Sequence, residues 1–167
     1  MQSASSHPLR ILPFKTNDRV ALAGDFKPAN PRTIAVNGAA HTTLERRGFL
    51  VLAILVAHGL HLSGRPPPFP TGLPPFPRAK DIADLILALK SQNPAVFQGM
   101  FGEIDDQAVT SVLSDLRALF KRLGSHPMLL ETGPSRRGFR LSTPPENLSI
   151  DWQERIVLIP PRQPGAA

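Results

Sequence analysis

Residues 105–141 read DDQAVTSVLSDLRALFKRLGSHPMLLETGPSRRGFRL, and the reading of this stretch decides the fold. Val109, Val112, Leu113, Leu116, Leu119, Phe120 and Leu123 recur at spacings of three and four, which places them on one stripe of an α-helix. Asp105 suits the N-cap and Asp106 the positive end of the helix dipole. Lys121 and Arg122 suit the negative end, and Gly124 is a natural stop. The remainder predicts a β-hairpin: Met128 to Thr132 as one arm, GPSRRG as the turn, and Phe139 to Leu141 as the return. A long amphipathic helix thus runs directly into a hairpin with a basic tip.

Outward from this stretch, the chain of 167 residues is long enough for one domain with a real core. Hydrophobic residues make up 41% and charged residues 19%, which excludes a chain that is disordered throughout. The 19 prolines are about twice the usual share, and they mark loops and tails. With no cysteine there are no disulfides or thiolate metal sites, and nothing points to an oxidising compartment. The expected location is therefore cytoplasmic. The net charge of +6 suggests an anionic partner, but it is unevenly placed. Residues 1–80 carry ten Lys/Arg against three Asp/Glu, whereas residues 81–167 carry nine against ten.

Toward the N-terminus, residues 1–30 read as a polar tail followed by one or two strands. In TIAVNG, Ile34 and Val36 alternate with Thr33, Ala35 and Asn37, and Asn37-Gly38 is a strong hairpin signal. A partner strand is expected through His41 to Leu44. Next, LERRGFLVLAILVAHGL is apolar at every position from Phe49 to Val56, with Gly59 as a candidate C-cap. The apolar run is too short for a membrane span, which needs about 20 residues. Arg46-Arg47-Gly48-Phe49-Leu50 imitates a twin-arginine export signal, but it lies far inside the chain and lacks a small-x-small cleavage site after the run. A helix apolar on nearly all sides is instead expected to be buried centrally.

Residues 61–79 (HLSGRPPPFPTGLPPFPRA) hold seven prolines and predict a stiff extended surface loop, with Phe69 and Phe76 pinning it to the body. A second amphipathic helix is expected at Asp81 to Ser91, with Ile82, Leu85, Ile86 and Leu89 as its stripe and Asp81 as its cap. Asn93-Pro94 ends it. The connector from Gln92 to Ile104 carries Phe97, Met100 and Phe101, and any of these left outside would form a protein-contact surface. Beyond the hairpin, a strand is expected at Arg155 to Ile159, and Trp152 is expected in the core or covering a sheet. No catalytic set appears: His58 and His61 lack a third metal ligand nearby, no Ser/His/Asp set has recognisable context, and there is no glycine-rich phosphate loop.

The order of elements and three local strings resemble the OmpR-type winged helix–turn–helix effector domain of bacterial transcription regulators. The first string is Val36-Asn37-Gly38 followed by Leu44 and FLVLAIL. The second is a recognition-type helix carrying Val109, Leu113 and Leu116-Arg117, closed by Lys121-Arg122-Leu123-Gly124. The third is a wing reading Glu131-Thr132, GPSRR, then Gly138-Phe139-Arg140-Leu141. The resemblance covers about residues 33–142 and implies an α+β fold: a winged helix–turn–helix with a three-helix core, N-terminal strands and a C-terminal hairpin wing. Its domain is expected at 31–142, with 61–79 as an inserted loop and 143–167 as an extension. No receiver domain is expected.

The mechanism implied by the resemblance is transcription regulation through double-stranded DNA, with the helix in the major groove. Thr110, Ser111 and Ser114 would meet phosphates or base edges, and Arg117 would make the strongest contact. Lys121 and Arg122 would meet backbone phosphate. Arg136 and Arg137 of the wing, supported by Arg140, would reach the adjacent groove, and Arg46 and Arg47 would add phosphate contacts. The sequence departs from the family in its proline-rich insert and in a reading face where only Arg117 is basic among Thr110, Ser111, Ser114, Asp115 and Arg117. Without a receiver, control would come from expression level, a partner or formation of a homodimer, and the alternative is a winged-helix interaction module that holds a protein through Phe97, Met100 and Phe101 or the proline loop. Neither reading requires a cofactor, a metal or a membrane.

Overall fold

The computed structural model describes residues 13–24, 32–41, 44–69, 71–97, 104–134 and 137–152. The fold is α+β. Three strands open it, β1 (Val20–Gly24), β2 (Thr33–Val36) and β3 (Ala39–His41). The helices α1 (Arg46–Leu62), α2 (Ala79–Gln92), a single turn α3 (Pro94–Phe97) and α4 (Asp106–Arg122) follow, and then β4 (Leu130–Thr132), β5 (Phe139–Leu141) and β6 (Leu148–Trp152). Among the described residues no helix is long and apolar enough to cross a membrane.

The centre of the fold is α1. Every residue from Gly48 through His58 is buried, so the helix has no face it can turn to water. It must be covered all round, and α4, β5 and β6 pack against it. The helix runs past Gly59, which was expected to cap it. Gly59 is instead a point of close approach: a Cβ there would sit 2.7 Å from Leu148 Cδ1. The cap is Ser63, whose Oγ donates to the Gly59 carbonyl at 3.0 Å.

The sheet order is β3-β2-β1-β6. The β2–β3 turn is the predicted Asn37-Gly38 pair, with both residues in the left-handed region (φ +51° and +89°), as the tightest hairpin turn demands. The return strand starts directly after this turn, at Ala39, and not at His41. Ile34 pairs His41, and Val36 pairs Ala39. Val20 and Leu22 of β1 and Ile34 and Val36 of β2 are buried and alternate with more exposed neighbours, the pattern of a sheet with one face on the core.

The fourth strand, β6, lies parallel to β1, pairing Val20 with Leu148 and Gly24 with Trp152. A parallel pair needs a crossover, and here the entire helical body and the β4–β5 hairpin supply it. The sheet thereby joins one of the strands expected within residues 1–30 to the extension expected at 143–167. Trp152 belongs to this strand. The strand expected at 155–159 lies outside the described residues.

In α4 the predicted stripe is buried from Val109 to Phe120, and the Asp105 carboxylate accepts from the Ala108 backbone N–H at 2.8 Å, as an N-cap should. Gly124 follows at φ +85°. In α2 the stripe Ile82, Leu85, Ile86, Leu89 is also buried. Asp81 is not its N-cap but its third helical residue, and its carboxylate reaches back to the Arg78 backbone N–H at 2.8 Å. Phe97 is buried and so contributes to the core, which removes it from the expected contact surface; Met100 and Phe101 lie outside the described residues.

Two substitutions test these assignments. Ile54→Ala, at a fully buried site on α1, is expected to lower stability by about 2–5 kcal/mol. Asp105→Ala is expected to lower it by about 1 kcal/mol. Urea unfolding with an unchanged m-value checks both.

Candidate functional site

The solvent face of α4 divides the expected contact residues into two strips. At 3.6 residues per turn Thr110, Ser114, Arg117 and Lys121 fall on one line, and Ser111, Asp115 and Arg122 on another. All seven are exposed. The first line lies on the hairpin side, because Arg117 Nη2 donates to the Leu130 carbonyl of β4 at 3.2 Å. This bond holds the Arg117 stem along the helix–hairpin junction and uses one of its five donors. The Thr110 hydroxyl is turned back onto its own helix, donating to the Asp106 carbonyl at 2.9 Å.

The second line borders a groove of about 450 Å³ between α4 and the start of α1. Arg47 and Arg122 line it together with Ser111, and so do Glu45 and Asp115. Cations and carboxylates are thus mixed there, while the hairpin-side line opens on Asp106, one turn before Thr110, and carries no acid at Ser114, Arg117 and Lys121 beyond it. The positive potential expected of the α4 surface is concentrated on the hairpin side.

The β4–β5 hairpin pairs Leu130 with Leu141, Glu131 with Arg140 and Thr132 with Phe139. Residues directly opposite share a face, so Leu130 and Leu141 point one way, into the core, and Glu131 and Arg140 the other. That other face is not open to solvent. Arg140 is 7% exposed and Glu131 5%, and Arg140 Nε donates to Glu131 Oε2 at 2.8 Å. Arg140 Nη2 donates to the Pro13 carbonyl at 2.7 Å, and the guanidinium lies 4.9 Å from the ring centres of both Phe14 and Phe76. Such rings attract a desolvated cation through their negative faces. Arg140, expected to support the wing's DNA contact, is therefore committed inside the fold. The ion pair and two aromatic rings satisfy a charge that would otherwise be costly to bury.

The cover over this face is the proline-rich segment. Its Phe76 lies against Gly133 and Gly138, and the Phe139 backbone N–H donates to the Pro77 carbonyl at 2.9 Å. Gly138 has φ +75°, and a Cβ there would run into the Phe76 carbonyl, so glycine is required twice over. At the hairpin tip Arg137 is exposed; Arg136 lies outside the described residues. At the head of α1, Arg47 is exposed and Arg46 half-buried.

Two buried polar centres escape the sequence reading. One is the Glu131–Arg140 pair, which can be found by folding the strings ETG and GFRL about their turn: the opposite charges then fall opposite each other. The other is His58, 2% exposed in the middle of α1. Its ring takes no part in a metal set. Nδ1 lies 3.1 Å from the Thr71 hydroxyl and Nε2 2.7 Å from the Pro74 carbonyl. Among the described residues no group of three or more His, Cys, Asp or Glu could hold a metal ion. No family model, curated protein or solved structure matches this chain.

The buried pair makes a sharp prediction. Arg140→Met leaves the Glu131 carboxylate buried without its partner and is expected to cost about 3–5 kcal/mol, most of it recovered in the double variant Glu131→Leu/Arg140→Met. Gly138→Ala, which strains φ and collides with the loop, is expected to cost about 2–4 kcal/mol. Denaturant unfolding of the four proteins reads both.

Proposed function

We propose that this protein binds double-stranded DNA as a winged helix of the kind its sequence resembles. In this reading the hairpin-side strip of α4 enters the major groove and the hairpin tip reaches the neighbouring groove. The observation that carries the reading is the part of the hairpin-side line beyond Thr110, where Ser114, Arg117 and Lys121 are exposed without a carboxylate among them on a helix whose opposite face is buried, with the exposed Arg137 on the hairpin that follows. Two cations, a hydroxyl and an arginine at the hairpin tip are the groups that meet backbone phosphates and base edges.

Within this reading the residues take different tasks. Lys121, Arg122, Arg137 and Arg47 neutralise phosphates, and Arg117 is the residue placed to reach a base edge, because its bond to Leu130 orients the guanidinium. Ser114 and Ser111 hydrogen-bond phosphate or base. Arg140 does not touch DNA but stiffens the hairpin that carries Arg137. Transcription regulation follows as the biological role, with a partner or self-association as its control.

A second reading, a protein-contact module, has one specific support. Leu87 on α2 is 66% exposed beside a groove of about 380 Å³ lined by Lys80, Ala83, Asp84, Lys90 and Ile104. An apolar side chain so open, ringed by charges, suits a contact of modest size.

Fluorescence anisotropy on a random duplex separates the two. Four phosphate-directed cations are expected to give a slope of log affinity against log salt of about −3.6, and Lys121→Ala and Arg137→Ala are each expected to reduce it by about 1. Absence of binding at low salt overturns the DNA reading. If Leu87→Glu then shifts the sedimentation coefficient of the free protein, the second reading takes its place.

A further inference from the structure

The proline-rich segment is tied at two points that lie on different elements. At one, His58 of α1 bonds Thr71 and Pro74; at the other, Phe76 and Pro77 cover the hairpin at Gly133, Gly138 and Phe139. Five residues lie between Thr71 and Pro77, and four of the seven positions from 71 to 77 are Gly or Pro. A segment so short and stiff transmits a change at one tie to the other.

The first tie is chemically specific. The Pro74 carbonyl can only accept, so Nε2 of His58 carries the proton. Nδ1 is then the acceptor, and the Thr71 hydroxyl, itself 4% exposed, donates to it. The ring is neutral and both nitrogens are satisfied. A second proton on Nδ1 would face the Thr71 hydroxyl, whose own hydrogen would have to find another acceptor in a buried site. The charged groups around the ring offer nothing to offset it. The small cavity beside His58 is lined by Phe14, Leu141, Thr143 and the Arg140 guanidinium, with no carboxylate. Glu131 is already held by Arg140. His61, one turn further along α1, adds repulsion when charged.

We propose that His58 and residues 71–77 form an acid-released latch: one proton taken up at His58 frees the segment from α1 and with it the cover on the hairpin. This inference is independent of what the hairpin binds. Burial holds the His58 pKa below its ordinary 6.5; the repulsion of His61 adds to this, and the bond to the Pro74 carbonyl pulls the other way. With the closed-state value depressed, the latch contributes its full stability above pH 6.5 and loses it as pH falls below that point.

Hydrogen exchange at the Phe139 amide, whose partner is the Pro77 carbonyl, reports the latch directly. After normalisation for intrinsic exchange, its protection is expected to be constant from pH 8 to 6.5 and then to fall about tenfold per pH unit, the slope for one proton. Protection at Leu116, inside α4, stays level over the same range, and in His58→Gln the Phe139 profile becomes flat. A flat profile in the wild-type protein overturns the proposal, as does an equal loss at Leu116 or an unchanged slope in the variant. If His58→Gln does not fold, the ring Cε1–H shift of His58 in the wild-type protein decides. A midpoint below 6.5, at the pH where the loss at Phe139 levels off, supports the latch, and a midpoint at or above 6.5 overturns it.

Discussion

A helix without a polar face must be covered on every side, and this requirement of α1 governs the rest of the molecule. Eleven consecutive buried residues, Gly48 through His58, cannot be served by a single partner element. The covering is assembled from distant parts of the chain: α4, the hairpin strand β5, the strand β6 that crosses back to pair with β1, and the proline-rich segment at His58. Each covering piece is itself amphipathic or has a second task. Thus α4 turns its outer face to solvent, and the hairpin is gripped between the core and the loop.

That grip accounts for the polar groups inside. The proline-rich segment lacks N–H groups at Pro74, Pro75 and Pro77, and its contacts are made by carbonyls, an aromatic ring and the Thr71 hydroxyl. It meets His58 through a carbonyl and a hydroxyl, Arg140 through a ring, and Phe139 through a carbonyl. The body of the fold supplies the His58 Nε2 and Phe139 N–H donors, and the segment itself supplies the Thr71 hydroxyl. Removing a donor leaves a buried acceptor unsatisfied, which is why a few polar side chains decide the position of a loop that composition alone would leave loose.

The surface follows from the same arrangement. Because Arg140 is drawn inward and Arg117 is tethered to Leu130, the cations left outside form a line on the hairpin side of α4, while the side facing α1 mixes Arg47 and Arg122 with Glu45 and Asp115. The even charge balance of the C-terminal half of the sequence conceals this separation. Sorting by helical position and by burial gives a strip that is acid-free beyond the first turn of α4, next to a mixed groove. The proposal that the strip meets DNA rests on this geometry.

Much of the fold was legible where the signals are local. The stripe of α4 and its Asp105 cap, the stripe of α2, the Asn37-Gly38 turn and the Leu130–Leu141 hairpin each depend on residues within a few positions of one another, and periodicity, capping and turn chemistry suffice to read them. What tertiary structure alone decided are pairings between segments far apart in sequence. They include the parallel β1–β6 ladder, the overrun of α1 past Gly59 to meet Leu148, and the inward turn of Phe97. They also include the burial of Arg140, which on a two-stranded hairpin alone would face water. His58 belongs here too: within α1 it is one polar residue in an apolar run, and its meaning appears only when Thr71 and Pro74 arrive. The sequence by itself determined which faces are apolar and where the chain turns. Which apolar face meets which, and therefore which charges remain outside, depends on covering α1 completely, a condition set by the three-dimensional packing of the whole chain.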